Sequence, residues 1–302
     1  MSRIKLDGIF VPHITPFNER EELDEEALRR CVRFWMQGEV SGLVSCGSNG
    51  EAPYLSRDER RRVISVVLDE VDGQTPVIAG TGSISTRETI QLTRDAKDLG
   101  VDAALVVTPF YFTPSNRELY EHYRAILEAV DLPIILYSVP KFTSFHLDLS
   151  VIVRLASEYE NVVGVKDSGD NIGRITSTIR MVGDKISVLA GTTDVTLPTL
   201  MQGGRGAVIA IANIFPKTCS DLYKAYKQGD YEQASRLQHY LSHYNDVLIK
   251  RYNQLAALKE ALNLNGLPAG YPRKPTLPLT REEKRELKKM LKPVKGFPYE
   301  HV

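Results

Sequence analysis

Residues 162–169 read Val162-Val163-Gly164-Val165-Lys166-Asp167-Ser168-Gly169. Four small or branched apolar residues occupy consecutive positions and then stop at a lysine. A run of this kind suits a parallel strand buried on both faces, where no alternation is needed because neither face meets water. Working outward, the same signal recurs along the chain. Before it come GIFVP from Gly8, GLVSC from Gly42, PVIAG from Pro76, AALVV from Ala103 and PIILY from Pro133; after it come ISVLA from Ile186 and GAVIA from Gly206. Helix starts fall between the runs. Ser56 with Glu59, Ser85 with Glu88 and Ser115 with Glu118 have capping-box spacing, in which the hydroxyl accepts an early backbone N–H and the carboxylate reaches back to the cap.

Strand, loop and helix repeated in this order indicate an α/β chain closed as a (β/α)8 TIM barrel. A doubly wound open sheet is the alternative, but no GxGxxG turn follows an early strand to support it. After Tyr231 the strand signal stops. The chain then reads as helices, a proline-rich stretch (GLPAGYPRKPTLPLT from Gly266) and a charged helix from Arg281. The expected division is a catalytic barrel over residues 1–228 and a C-terminal helical extension over residues 229–302, packed on the barrel.

Composition narrows the function classes. With 302 residues, 42% of them hydrophobic, the chain has enough apolar material for one large core. Lys plus Arg and Asp plus Glu balance at 38 each, which gives no general attraction to nucleic acid or to an anionic membrane. The N-terminal residues lack the apolar stretch of a signal peptide, and no segment has the roughly 20 apolar residues that span a bilayer. Cys31, Cys46 and Cys219 are too few and too scattered for a disulfide framework. Cytoplasmic residence is the expectation.

In a barrel of this type the site lies at the C-terminal ends of the strands. Lys166 ends one run. Pointed inward, its ammonium would lose hydration, which favours the neutral amine that condenses with a ketone; the competing reading is a lysine that meets solvent or pairs with Asp167. Tyr137 ends another run, where a phenol either relays protons or is buried with its hydroxyl satisfied. Gly47-Ser48-Asn49-Gly50-Glu51 follows the second run. Its glycines let backbone N–H groups approach a ligand, and Ser48 and Asn49 add side-chain hydrogen bonds suited to a carboxylate, although the same residues also make ordinary turns. Pro109-Phe110-Tyr111-Phe112 is an aromatic loop of the kind used for packing or a subunit contact. Gly203-Gly204-Arg205-Gly206 resembles a phosphate loop but precedes its strand, on the wrong face. His239 and His243 lie one helical turn apart without an HExxH motif or a third ligand. Neither a metal nor a cofactor is indicated.

With these places set out, the chain resembles the N-acetylneuraminate lyase and dihydrodipicolinate synthase superfamily from about Leu6 to about Leu279. The likeness rests on the GxxGE turn, the PxY loop, YxVP, the VVGxKD strand, the Ala190-Gly191 turn and the ALKEALNLNG helix. The resemblance implies a metal-independent class I lyase that needs no cofactor and binds a 2-oxo acid covalently. It implies that Lys166 forms the Schiff base, Tyr137 shuttles the proton, and Ser48 and Asn49, with the Gly47 turn, hold the carboxylate. It implies that Val208 offers its backbone carbonyl, and that Tyr111 completes a hydroxyl relay in a neighbouring subunit of a homotetramer built as a dimer of dimers.

The substrate expectation rests on departures from the relatives. Dihydrodipicolinate synthases carry Gly-Arg after YNVP, and that arginine binds the carboxylate of aspartate semialdehyde; here the pair is Lys141-Phe142. GSNGE, YSVP and KDSG are similar to the 4-hydroxy-2-oxoglutarate aldolase branch, and the lysine-Asp-Ser pattern resembles 2-keto-3-deoxygluconate aldolases, in which Ser168 would meet sugar hydroxyls. Thr192, Thr193 and Asp194, after Gly191, stand where sialic acid lyases bind a polyol. The expectation is therefore a pyruvate-dependent aldolase for a 4-hydroxy-2-oxo acid or a 2-keto-3-deoxy sugar acid. The alternatives are a 4-hydroxy-tetrahydrodipicolinate synthase, a dehydratase of a keto-deoxy sugar acid, and a non-catalytic regulatory barrel.

Overall fold

The computed structural model describes residues 4–292, so the outermost ends of the two expected domains, residues 1–3 and 293–302, lie outside the described residues. Eight parallel strands close on themselves in sequence order: β1 (Gly8–Pro12), β2 (Gly42–Ser45), β3 (Val77–Gly80), β4 (Ala103–Val107), β5 (Ile134–Ser138), β6 (Val162–Asp167), β7 (Ser187–Ala190) and β8 (Gly206–Val208), with β8 pairing back to β1. The open-sheet alternative is thereby excluded. The helices between them are α1 (Glu25–Gln37), α2 (Arg57–Val71), α3 (Thr86–Leu99), α4 (Asn116–Ala129), the short α5 (Pro140–Thr143), α6 (Leu149–Glu158), α7 (Ile172–Val182) and α8 (Thr196–Met201). After β8 come α9 (Pro216–Lys227), α10 (Tyr231–Asn245), a single π-helical turn (Asp246–Lys250), α11 (Gln254–Leu264) and α12 (Arg281–Met290).

Both faces of the strands are dry, as their continuous apolar runs require. Phe10, Val44, Ile78, Leu105, Ile135 and Leu189 fill the barrel interior, while their neighbours Ile9, Leu43, Val77, Val106, Ile134 and Val188 join the larger core under the helices. Two of the three expected capping boxes form, at Ser56–Glu59 and Ser115–Glu118. At α3 only half of one does. Ser85 accepts from the Glu88 backbone N–H, but the Glu88 carboxylate turns to the Ser83 hydroxyl instead of the cap backbone. A nearby hydroxyl outcompeted the cap, a local geometry that the Ser-x-x-Glu spacing does not encode.

One irregularity positions the site. β5 and β6 pair as Ile134 with Val162 and then as Ile135 with Gly164, so β6 carries one extra residue. Val162 faces the helices and Val163 faces the interior. Strict alternation from there would send Lys166 outward. The extra residue resets the phase, so that Val165 packs under the helices and Lys166 turns inward as the register partner of Tyr137. Gly164 fits this bend because a Cβ there would lie 2.9 Å from Leu6 Cδ1 and 3.1 Å from the Ser187 carbonyl.

Candidate active site

A cavity of about 480 Å³ opens at the C-terminal end of the barrel. Lys166 and Tyr137 lie side by side on β6 and β5, with Lys166 Nζ 4.1 Å from the Tyr137 ring centre, and both line this cavity. Lys166 is 5% exposed, so most of its side chain is shielded while the amine opens to the cavity. The competing pairing with Asp167 does not occur. Asp167 accepts from Gly169 N at 2.8 Å and binds Arg174 Nε at 2.8 Å, which ties it to the start of α7 and leaves Lys166 facing the cavity.

Ser168 links the two strand ends to the next turn. Its Oγ donates to the Gly191 carbonyl at 3.1 Å and lies 3.4 Å from Tyr137 Oη. Gly191 is required at this approach, since a Cβ there would sit 2.0 Å from Ser168 Oγ. The Tyr137 ring therefore lies against the Lys166 amine while its hydroxyl meets Ser168, which places a proton-carrying oxygen at the edge of the cavity beside the amine.

The GSNGE turn forms the opposite wall with Ser48 and Asn49. The turn is tied internally by Glu51 N to Ser48 O at 3.1 Å, and to the segment after β1 by Thr15 Oγ1, which donates to Gly50 O at 2.8 Å. Glu51 adopts a left-handed conformation, φ 56°, rare for a residue with a side chain. It is held there by a fully buried ion pair, Lys259 Nζ to Glu51 Oε1 at 2.5 Å, and by the Arg273 backbone N–H at 2.8 Å. Burial lowers the Lys259 pKa to about 8 against the pull of Glu51. Lys259 and Arg273 also lie over the Phe17 ring, at 4.4 and 4.0 Å from its centre.

The structure brings most of the expected residues together. Lys166, Tyr137, Ser48, Asn49, Ser168, Gly191, Thr193, Asp194 and Val208 all line the cavity. Gly47 and Tyr111 do not. Gly47 lies beneath the turn, its carbonyl accepting from Ala52 N. Tyr111 stands out from the surface, 78% exposed, in edge contact with Phe112, itself 80% exposed. Asp194 is not a free polar contact, because Lys250 pairs with it at 2.6 Å and Asn245 donates to it at 3.2 Å. The two carboxylates Asp194 and Asp246 hold the Lys250 pKa well above the ordinary lysine range.

Sequence reasoning missed the residues contributed from beyond α9. Asn245, Ile249, Lys250 and Gln254 line the cavity, the middle two from the π-helical turn. Such turns redirect side chains within a helix. No motif marks these residues, because they reach the site from helix ends far along the chain. Among the described residues no group of three or more His, Cys, Asp or Glu side chains is arranged to hold a metal ion. No helix among them is long and apolar enough to cross a membrane.

Comparison with known proteins agrees with this fold. The sequence profile of the dihydrodipicolinate synthetase family matches residues 5–294. The 4-hydroxy-tetrahydrodipicolinate synthase of Methanothrix thermoacetophila is 38% identical over 285 residues, 94% of this chain and 95% of that one. Its counterpart in Citrifermentans bemidjiense is 39% identical over 288 residues, 95% and 98% of the two chains. Among solved structures, the chloride-inhibited dihydrodipicolinate synthase of Acinetobacter baumannii complexed with pyruvate superposes with a TM-score of 0.92 at 35% identity, covering 95% of this chain and 98% of that one.

Proposed function

Because this chain belongs to the dihydrodipicolinate synthetase family, whose members are pyruvate-dependent class I aldolases that form a lysine Schiff base without a cofactor, we propose that it joins pyruvate to aspartate semialdehyde, as a 4-hydroxy-tetrahydrodipicolinate synthase. This reverses the order of substrates expected from Phe142. The relatives' name favours the synthase over the 4-hydroxy-2-oxo acid and keto-deoxy sugar acid readings, and membership of an enzyme family removes the non-catalytic barrel.

The observation that carries the proposal is the inward amine of Lys166 beside the Tyr137 phenol. Lys166 Nζ attacks C2 of pyruvate, and the carbonyl oxygen leaves as water. The resulting iminium acidifies C3, whose proton passes to the Tyr137 oxygen, giving an enamine. The C3 carbon then attacks the aldehyde carbon of the acceptor, whose oxygen takes up a proton to become a hydroxyl. Tyr137, in contact with Ser168, protonates the departing oxygen, takes up the C3 proton and passes it to the acceptor oxygen. The acceptor's own amine closes the ring by displacing Lys166 from C2. Ser48 and Asn49 hold the pyruvate carboxylate.

The missing arginine is answered by Lys141. It lines the cavity and donates to the neutral amide of Gln254 at 2.7 Å, so its positive charge remains available to an acceptor carboxylate. We further propose the division at residues 228 and 229, cytoplasmic residence, and a homotetramer in which the Tyr111 loop meets a neighbouring subunit. Phe142 and the polar rim at Thr192 and Thr193 favour a second reading, a 2-keto-3-deoxy or 4-hydroxy-2-oxo acid aldolase.

An acceptor panel with pyruvate and product identification decides between them. The proposal expects ring product from aspartate semialdehyde faster than aldol product from glyoxylate or glyceraldehyde. It also expects Lys141→Met to lower kcat/KM for aspartate semialdehyde by roughly 10- to 100-fold, the scale of a lost hydrogen bond to a charge. Faster turnover of glyoxylate or glyceraldehyde would install the second reading instead.

A further inference from the structure

Gln254 is the first residue of α11, a helix whose start is fixed by the Asn253 side chain accepting from Leu255 N at 3.0 Å. From there its amide spans the cavity wall. Lys141 Nζ donates to Gln254 Oε1 at 2.7 Å, and Gln254 Nε2 donates to Asn49 Oδ1 at 2.8 Å. The order of this chain follows from chemistry alone. An ammonium has donors and no acceptor, so the Gln254 oxygen must face Lys141. Its N–H2 group then faces Asn49, which must answer with its oxygen. The Asn49 amide is thereby turned with its N–H2 edge away from Gln254.

We propose that Gln254 is a positioning residue that transmits the charge of Lys141 to the Asn49 amide, locking that amide with its donor edge available to the pyruvate carboxylate. The inference rests on the proposed binding of pyruvate at Lys166. It makes the pyruvate side of the cavity depend on a cation that belongs to the acceptor side. With Lys141 in place, a carboxylate meets N–H donors at Asn49. Without it, Gln254 is free to turn over, and the Asn49 oxygen can face the carboxylate and repel it.

Borohydride trapping over a pyruvate series, read by intact mass, tests this without any acceptor. Gln254→Glu keeps an oxygen for Lys141 but presents a second oxygen to Asn49, which must then rotate its N–H2 toward position 254. The expected result is a half-saturating pyruvate concentration raised roughly tenfold or more, with trapping at saturating pyruvate and the melting temperature both close to the parent's. A side chain that merely supported the fold would shift the melting temperature or the maximum instead. Lys141→Met, at the cavity mouth, should raise half-saturation in the same direction, and it carries the test if Gln254→Glu does not fold. Parent-like half-saturation in these variants, with the parent trapping normally, overturns the role of Gln254 alone. A parent that traps no pyruvate overturns the proposed function and this inference with it.

Discussion

On one side of the cavity, Lys166 and Tyr137 are register partners in adjacent strands, fixed by backbone ladders and backed by a dry interior. On the other side, the loops after β2 and β7 are bonded to the chain beyond α9. Gln254 holds Asn49, Lys259 holds Glu51, Gln238 donates to the Thr193 carbonyl at 2.9 Å, and Lys250 with Asn245 holds Asp194. On the proposed function, the difference is between placing reactive atoms and shaping what surrounds them. Strands at fixed register give the sub-ångström placement that bond formation demands. Helix ends give adjustable contacts, through which a shared barrel can accommodate different acceptors.

Variants on the strand side should abolish chemistry while leaving pyruvate's surroundings intact. The largest effect is expected from Lys166→Ala and Lys166→Arg, both without measurable turnover, since arginine stays protonated and cannot attack. Activity retained in either would move the nucleophile elsewhere. Next comes Tyr137→Phe, where turnover should fall by about two to four orders of magnitude at unchanged stability, the scale of a lost acid–base group. Turnover within a few-fold of the parent would make Tyr137 a packing residue.

On the helix side the loss should appear first as stability. Lys259→Met leaves the Glu51 carboxylate buried without its cation, and should cost about 3–5 kcal/mol in urea unfolding. The double variant Lys259→Met with Glu51→Gln should recover part of that cost by removing the stranded charge. If Lys259→Met unfolds like the parent, the ion pair does not hold the turn. The smallest effect concerns the aromatic loop. Tyr111→Phe should lower turnover with the oligomer intact, whereas Phe110→Asp should weaken association and lose activity on dilution. A fully active monomer at low concentration, seen by light scattering beside the assay, would remove Tyr111 from any neighbouring site.

The same contrast decides what was legible in the sequence. Strands buried on both faces announce themselves as apolar runs, so the eight strands, Lys166 and Tyr137 at the ends of two of them, and Ser48 in the turn after β2 could be read directly. The inward aim of Lys166 could not, because it depends on one extra residue in β6 that a run of Val and Gly does not reveal. Gln254, Lys250 and Asn245 were invisible for another reason. They are ordinary polar residues on helices, and only the return of the chain over the barrel mouth gives them a role. Lys259 sat within a recognised helix motif, but its partner Glu51 lies more than 200 positions earlier, and spacing carries no information across that distance.

The central claim is that the inward amine on β6 is the nucleophile. Incubating the protein with pyruvate and borohydride, digesting it and mapping the adduct by mass spectrometry tests that claim most directly. The account predicts one reduced three-carbon adduct per chain, on Lys166, and none in Lys166→Ala. An adduct on Lys141, Lys250 or Lys259, or no adduct at all, would contradict it.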